Sequence, residues 1–417
     1  MSDLLTYDFF ENNRKKLFNL MEKQSIALVF ANQSMSDSNL PTSFQQDANF
    51  FYLTGINYPN MILYLYKGKK ENATLLFIER NIPELEVWLG KKIGRTEVKK
   101  ISGITHTNYI DRFPAILNDH VAGIENIYFS FDRIPIDEQL TKQMQIKRNI
   151  QEHYPFLNFL NLNSLTDKLR RKKENVEIEC IRRAIEYTKV AIIKIMQNAK
   201  PKMKEYELEA MLHYEAIRKG EKHLAFVPIV AKGVNASILH YADNSHQINE
   251  GELVQLDMGV KFNGYSADIS RVFPVSDKFN KRQRQIYEEV LKVQKEMIKK
   301  VKPNTSINEL HKESVKLLTE SIKKLGLIKK DKEYKKYYMH GISHFLGLQT
   351  HDVGSKDAKL ESGNVITIEP GIYIKEEKIG IRIEDDILVT ENGAEILSKD
   401  VPKEIEEIEE IRRNCLK

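Results

Sequence analysis

The sequence predicts an α/β domain at the amino terminus, followed by an α+β domain. In the first part of the chain, short apolar runs with strand character alternate with segments of helical spacing, which is typical of an α/β domain. In the second part, long helices are grouped around strand-rich segments with hairpin signals, which is typical of an α+β domain. A chain of 417 residues is long enough for two to three domains.

The composition excludes several classes of protein. Hydrophobic residues make up 41% and charged residues 29% of the sequence, and 64 basic residues are balanced by 59 acidic ones. This charge is too evenly mixed to indicate nucleic-acid binding, and no apolar run reaches the ~18 residues of a membrane span. With two cysteines and no apolar leader of signal-peptide length, we expect a cytoplasmic protein without a disulfide framework.

The first part of the chain contains four predicted strands and two predicted helices. The strands are the short apolar runs at 26–31, 61–66, 73–78 and 126–131, and the helical patterns lie at 3–23 and 137–154. A highly charged stretch at 167–179 then opens a long amphipathic helix. We place the domain boundary near the start of this helix, which gives domains at 1–172 and 173–417.

The second part of the chain combines helices with strand-rich segments. A helix over 205–218 ends at Gly220, a residue suited to a helix C-terminus. A capping box that begins at Ser306 opens another helix, which stops near Gly326, and a last short helix is predicted within 400–417. The strand-rich segments are 226–231, 253–273, 364–374 and 380–390.

One strand-rich segment, 253–273, places two aspartates among apolar residues. Its Asn-Gly pair fits a type I′ hairpin turn, which needs positive φ at both central residues. With that turn, Asp257 falls opposite Ser270, and Asp268 lies on the same sheet face. Two ionised carboxylates on a buried face repel each other and lose hydration. Either bound cations or an arginine partner such as Arg271 would compensate for this cost.

Two later segments add further oxygen and nitrogen ligands. A histidine-rich stretch contains His340, His344 and His351. The first two are four residues apart, so we expect them on one face of a helix or strand. Glu369 and Glu384 each lie inside an apolar, strand-like run. Taken singly, each residue has an ordinary structural explanation, such as a hydrogen-bonded histidine, a strand end or an Arg–Glu pair.

A single metal centre explains these residues together. Carboxylate oxygens with one imidazole suit divalent ions such as Mn²⁺, Zn²⁺, Co²⁺ or Fe²⁺. Four carboxylates balance the charge of two such ions, and a pair of ions ~3.5–4 Å apart is the arrangement that activates water for hydrolysis. The sequence therefore predicts a hydrolytic centre with two divalent metal ions.

The order of these residues resembles the dinuclear site of the pita-bread metallopeptidases, which include methionine aminopeptidase, aminopeptidase P and prolidase. The motifs HGISHFLGLQTHDVG at 340–354 and ILHYADN at 238–244 resemble the proline-specific branch. The segments QQDANFFYLTGINYPN at 45–60 and EVWLGKKIGRTE at 86–97 resemble the amino-terminal domain of aminopeptidase P. The resemblance implies an α/β amino-terminal domain and an α+β pita-bread catalytic domain.

The resemblance also implies a role for each residue of the centre. Glu369 is the implied general base, and His240 and His351 are implied catalytic residues that hydrogen-bond the scissile carbonyl and the oxyanion. His340 would line the proline subsite, and Arg382 would contribute to substrate binding as the partner of a carboxylate ligand. The implied ligands of the two divalent ions, with Mn²⁺ favoured, are Asp257, Asp268, His344, Glu369 and Glu384.

The activity implied by the resemblance is removal of an N-terminal residue from peptides whose second residue is proline. Such a bond is a tertiary amide with a fixed ring, which general aminopeptidases accommodate poorly. One alternative is a prolidase, which cleaves only Xaa-Pro dipeptides. The other alternative is a non-catalytic binding protein of the same fold, although such proteins typically lose ligands that this chain retains.

The family resemblance further implies a homo-oligomer, either a dimer or a tetramer. In such assemblies the first domain helps to shape the neighbour's cleft. Trp88, the only tryptophan, lies in one of the matching segments. It is expected either to take part in such a contact or to serve as an ordinary packing residue.

Overall fold

The computed structural model describes residues 4–33, 44–130 and 137–415. The chain divides into two compact units, Met1–Arg170 and Arg171–Lys417. Within the described ranges, no helix is both long and apolar enough to cross a membrane.

The first unit is built on one mixed six-stranded sheet. Its strands are β1 (Ser25–Phe30), β2 (Ile62–Lys67), β3 (Asn72–Ile78), β4 (Thr107–Tyr109), β5 (Asn126–Phe129) and β6 (Asn158–Asn161). They are arranged in the order β4-β3-β2-β1-β5-β6. Strand β1 is antiparallel to β2 and parallel to β5, so the hairpin β2–β3 extends a parallel sheet. Buried side chains such as Ile26, Tyr64, Phe77 and Ile127 form the core of this unit.

Seven helices accompany this sheet in the described part of the first unit. They are α1 (Tyr7–Leu20), α2 (Ala48–Thr54), α3 (Pro83–Leu89), α4 (Arg95–Ser102), α5 (Phe113–Val121), α6 (Lys142–His153) and α7 (Asn163–Arg171). The predicted α/β class is confirmed, as are the four predicted strands and the two predicted helices, with shifted ends. Asp3 and Phe131, at the limits of two predicted elements, lie outside the described residues.

The second unit combines long helices with small antiparallel sheets. Its helices are α8 (Asn175–Asn198), α9 (Glu205–Ile217), α10 (Lys281–Lys300), α11 (Ile307–Lys324) and α12 (Ile405–Cys415). Its strands are β7 (Ile229–Lys232), β8 (Leu253–Met258), β9 (Lys261–Phe262), β10 (Tyr265–Ser266), β11 (Ile269–Pro274), β12 (Val365–Ile368), β13 (Gly371–Ile374), β14 (Ile379–Arg382), β15 (Asp385–Val389) and β16 (Ala394–Ile396). The sheets have the orders β11-β8-β7, β12-β15-β16, β13-β14 and β10-β9. The predicted α+β class is confirmed.

The long helix predicted to open within 167–179 is two helices in the structure. The break lies between α7 and α8, where the Lys173 N–H donates to the Gly363 carbonyl at 2.8 Å. The Lys173 ammonium also forms a buried ion pair with Asp352 at 3.0 Å. These tertiary contacts stabilise a non-helical conformation at this point of the chain. The local sequence pattern does not predict them.

The hairpin that carries both aspartates has the predicted register. Phe262 pairs with Tyr265 across an Asn-Gly turn whose φ angles are 49° and 83°. Asp257 lies opposite Ser270 on the paired strands β8 and β11. The turn chemistry alone therefore sets which side chains of these strands share a face.

Candidate active site

Strands and strand ends of the second unit supply the four acidic residues of the site. Asp257 lies in β8, and Asp268 immediately precedes β11, its antiparallel neighbour. Glu369 directly follows β12, and Glu384 lies between β14 and β15. His344 comes from the irregular segment between α11 and β12. Residues far apart in the sequence thus meet around one point.

The His344 imidazole is the centre of this cluster. Its Nε2 lies 3.3 Å from Asp268 Oδ2, 3.8 Å from Glu369 Oε1 and 4.0 Å from Glu384 Oε1. Its Nδ1 lies 3.0 Å from the Phe345 carbonyl oxygen, which can only accept a hydrogen bond. Nδ1 therefore carries the proton, and the lone pair of Nε2 faces the carboxylates, as a metal ligand requires.

Burial and mutual repulsion make the carboxylate cluster electrostatically unfavourable without cations. Burial raises the pKa of Asp268, Glu369 and Glu384, and the charge of Asp257 adds to each rise. Asp257 Oδ1 is buried without a hydrogen-bond partner among the described residues. Ligand atoms of Asp268, His344 and Glu384 lie within 4.8 Å of one another. This donor set fits divalent cations, which would neutralise the charge and occupy the unpaired oxygen.

Arg382 orients two of the carboxylates from outside the cluster. Its Nη2 pairs with Asp257 Oδ2, and its Nε donates to Ser270 Oγ at 2.8 Å. The Ser270 hydroxyl in turn donates to Glu384 Oε2 at 2.8 Å. Such indirect contacts fix the direction of ligand lone pairs. Arg271, considered above as a partner of one aspartate, instead forms a fully buried pair with Asp385 at 2.7 Å.

His340 belongs to a hydrogen-bonded chain beside the cluster. Its Nδ1 donates to the Gly341 carbonyl at 2.7 Å, so its Nε2 accepts from the Tyr373 hydroxyl at 2.8 Å. Tyr373 also accepts from Arg382 Nη1 at 3.1 Å. Burial and the charge of Arg382 lower the pKa of His340 to about 3, so this ring is neutral near pH 7. His340 Nδ1 lies 3.7 Å from Glu369 Oε2.

Of the other two predicted histidines, His351 contacts the cluster and His240 is exposed nearby. The His351 ring packs edge-on against His344 with ring centres 4.3 Å apart. Desolvation and the neighbouring His344 lower the pKa of His351 to about 4. His240 lies in the turn that follows a short 3₁₀ helix at 233–237. His240 is close enough to His340 and His351 to contribute electrostatically to the low pKa of both.

The expectation that His340 and His344 share one face of a helix or strand is wrong. The segment that carries them forms neither element. It runs beside β12, where the Thr367 N–H donates to the His344 carbonyl at 3.0 Å and the Glu369 N–H donates to the Ile342 carbonyl at 2.9 Å. Backbone contacts with β12, rather than helical or strand periodicity, bring both imidazoles to Glu369.

Two residues of the site were not assigned a role from the sequence. Ser270 links Arg382 to Glu384, and Tyr373 links Arg382 to His340. The position of Ser270 directly opposite Asp257 was a usable signal. Tyr373 had none, because its hydroxyl meets His340 through tertiary packing and not through the pairing of β13 with β14.

The class of protein follows from this cation-compatible cluster together with the families that the sequence matches. Residues 179–391 match the model of metallopeptidase family M24, and residues 10–128 match the aminopeptidase P N-terminal domain. The chain therefore belongs to metallopeptidase family M24. It is a metal-dependent aminopeptidase with the two-part organisation of aminopeptidase P.

Individual proteins match over almost the whole chain. The Xaa-Pro aminopeptidase of Haemophilus influenzae is 35% identical, with 96% of each chain covered. A solved structure from Bacillus anthracis, described as a candidate aminopeptidase P, is 43% identical, with a TM-score of 0.95 and 98% and 99% of the two chains covered. Aminopeptidase P from Escherichia coli, solved with the inhibitor Pro-Leu, is 31% identical, with a TM-score of 0.91 and 99% coverage of both chains.

Proposed function

We propose that this protein is an Xaa-Pro aminopeptidase, which hydrolyses the bond between an N-terminal residue and a following proline. The observation that carries this proposal is the position of the neutral His340 ring. Its Nε2 accepts a hydrogen bond from Tyr373, and its Nδ1 lies 3.7 Å from Glu369 Oε2 in the carboxylate cluster. A neutral, oriented imidazole between two tyrosine rings, Tyr338 and Tyr373, suits an apolar ring such as proline. The relatives described above that act on Xaa-Pro bonds support the same substrate.

We assign two divalent metal ions, Mn²⁺ in the physiological case, to the carboxylate cluster. Ions bound there supply Lewis acidity and lower the pKa of water. The assignment is supported by the raised carboxyl pKa values, the unpaired oxygen of Asp257 and the free Nε2 of His344. The proposed ligands are Asp257, Asp268, His344, Glu369 and Glu384.

The remaining residues would bind the substrate and move protons. Glu369 is the proposed general base, because it is partly buried, has a raised pKa and lies beside both His340 and His344. His240 and His351 would hydrogen-bond the scissile carbonyl and the developing oxyanion, a task that suits the neutral His351 ring. Arg382 would contribute to substrate binding by holding Asp257 and Tyr373 in place.

We further propose a cytoplasmic homo-oligomer, a dimer or tetramer, with residues 173–417 as the catalytic domain and 1–172 as the amino-terminal domain. A reducing compartment suits a sequence with only two cysteines, of which Cys180 is a buried thiol. Oligomer formation is supported by α3, where Val87 and Trp88 are 87% and 80% exposed. This exposure argues against Trp88 as an ordinary packing residue of its own chain.

A comparison of two peptides tests the proposed function. Metal-free protein reloaded with Mn²⁺ is incubated with an Xaa-Pro dipeptide and with an Xaa-Pro-Xaa tripeptide, and release of the first residue is followed. We expect cleavage of the tripeptide and loss of this activity with a chelator. Cleavage of the dipeptide alone would make the enzyme a prolidase, and full activity in metal-free protein would contradict the metal centre.

A further inference from the structure

A cavity of about 480 Å³ lies beside His340 in the second unit. Its walls come from the His340 segment, the first turns of α11, the 3₁₀ turn at 331–336 and Lys356. Among the described residues that line it there are two lysines, Lys335 and Lys356, and no carboxylate. The cavity therefore starts at the proposed proline subsite and is positively charged.

The Lys356 ammonium is directed toward the site. A Cβ placed on Gly341 would lie only 3.5 Å from Lys356 Nζ, so the ammonium group lies close to the backbone of the residue that follows His340. Within the described ranges, no carboxylate lies within ion-pair distance of Lys356. Its charge is thus available to a ligand.

The backbone that carries Lys356 is fixed against the start of α11. The Asn308 N–H donates to the Lys356 carbonyl at 3.0 Å, and the Asn308 side chain donates to Asp357 Oδ1 at 2.6 Å. Lys359 pairs with Glu309 at 2.6 Å on the same helical turn. Because these contacts exist before any peptide binds, only the lysine side chain has to be ordered on binding.

Two polar atoms of cavity-lining residues have no partner. Ser343 is only 2% exposed, and its Oγ makes no hydrogen bond within the part of the chain that the structure describes. The same holds for His311 Nδ1. Both atoms are shielded from the cavity as well as from bulk solvent, so the two lysines, rather than these atoms, are the polar groups that a ligand in the cavity would meet.

We propose that this cavity receives the part of the peptide that follows the proline, and that Lys356 pairs with the terminal carboxylate of short substrates. The inference rests on the proposed function, because His340 must hold the proline for the next residue to enter the cavity. An ammonium–carboxylate pair is a charge-assisted contact, which is stronger than a neutral one. The preferred substrates are then short peptides such as Xaa-Pro-Xaa with a free carboxyl group.

Binding of Pro-Leu and of Pro-Leu amide to the Mn²⁺-loaded protein tests this inference without turnover. Isothermal titration should give the acid about tenfold tighter binding than the amide, since only the acid can form the charge-assisted contact. In Lys356→Gln the ratio of the two affinities should fall to near one. In the matched control Lys335→Gln, which alters the other lysine of the cavity, the ratio should stay at the native value.

The ratio of affinities separates this inference from general effects on the site. Lys335→Gln removes the same charge from the cavity, so a long-range electrostatic effect would lower the ratio in both variants, whereas loss of a direct contact lowers it in Lys356→Gln alone. Equal affinity of the native protein for both ligands, or a ratio unchanged by Lys356→Gln, would overturn the role of Lys356. Failure to cleave any Xaa-Pro bond, with the acid still preferred, would instead overturn the proposed function.

Discussion

At the scale of single residues, the site consists of groups whose pKa values differ from those of the same groups in water. Burial raises the pKa of Asp268 and Glu384, so these carboxyl groups keep their protons to a higher pH in the metal-free protein. Burial also lowers the pKa of His340, so this imidazole is neutral near pH 7. Carboxyl groups with raised pKa and imidazoles with lowered pKa in one cluster are characteristic of catalytic and metal sites. Two predictions follow from these states.

The first residue prediction concerns Glu369. The substitution Glu369→Gln keeps one oxygen ligand but removes the proposed base, so we expect metal content to persist while kcat falls by about 10²–10⁴-fold. Metal analysis and steady-state kinetics on an Xaa-Pro-Xaa peptide check this. The control Glu391→Gln alters an exposed glutamate and should behave as the native protein. Near-normal turnover in Glu369→Gln would exclude it as the base.

The second residue prediction concerns protons released on metal binding. A carboxyl group whose pKa is raised in the folded chain still holds a proton at a pH where the unfolded chain has lost it. The metal-free protein therefore loses stability as the pH rises above about 4, the ordinary carboxyl value. Metal binding needs the ionised form, so Mn²⁺ added in weak buffer at pH 6 should release protons.

A titration in weak buffer measures this release directly. The number of protons released should decrease as the starting pH is raised, because fewer carboxyl groups are then protonated. Glu369→Gln should release fewer protons than the native protein, since one titrating ligand is absent. Absence of any proton release at pH 6 would mean that the carboxylates are already ionised in the metal-free site.

At the scale of elements, a buried arginine joins helix α12 to several neighbouring elements. Arg412 is fully buried and donates to the backbone carbonyls of Met196, Ala199 and Val275. These carbonyls lie at the end of α8 and just after β11, one of the strands that bear the site. With a fourth bond to the Ser276 carbonyl at 3.4 Å, this guanidinium connects α12 to α8 and to the segment that follows β11.

We expect Arg412→Met to lower the free energy of unfolding by about 1.5–3 kcal/mol for each of these bonds that water does not replace. The neighbouring Arg413 is exposed, so Arg413→Met serves as the matched control and should be nearly neutral. Denaturant unfolding of the Mn²⁺-loaded proteins measures both changes. Equal stability of the two variants would show that the buried guanidinium is replaceable by apolar packing.

At the scale of the whole molecule, the exposed face of α3 is not covered by any other part of the chain that the structure describes. Val87 and Trp88 are 87% and 80% exposed, and Ile82 and Leu85 are 45% and 40% exposed. Adjacent apolar side chains of this size on one short helix are characteristic of an interface with another subunit. We therefore expect this helix to contribute to the proposed homo-oligomer.

Light scattering of purified protein tests this expectation. Val87→Asp places a charge in the middle of the proposed interface and should shift the protein toward monomers, with Trp88→Ser acting in the same direction. Tyr214→Ser removes an exposed aromatic side chain from α9 and should leave the native mass unchanged. A monomeric native protein would contradict the oligomer, and an unchanged mass in Val87→Asp would exclude α3 from the interface.

Features that depend on short-range chemistry were predictable from the sequence. The Asn-Gly turn set the register that puts Asp257 opposite Ser270, and the alternation of apolar residues located the strands of both units. The types of side chain at Asp268, His344 and Glu384 predicted a cation site, and the structure brings these three together. The turn and the strands need only neighbours in the chain, so a local pattern is enough to predict them, whereas the cation site was inferred from the side-chain types of residues far apart in the sequence.

Only the tertiary structure decided which partner each polar group takes. Arg382, rather than Arg271, pairs with Asp257 across 125 residues of sequence. The histidine segment is irregular because β12 supplies its backbone hydrogen bonds, and the helix predicted around 167–179 is broken by contacts of Lys173. Polar groups that lose water must find partners wherever the folded chain offers them, and that choice depends on packing that no local pattern contains.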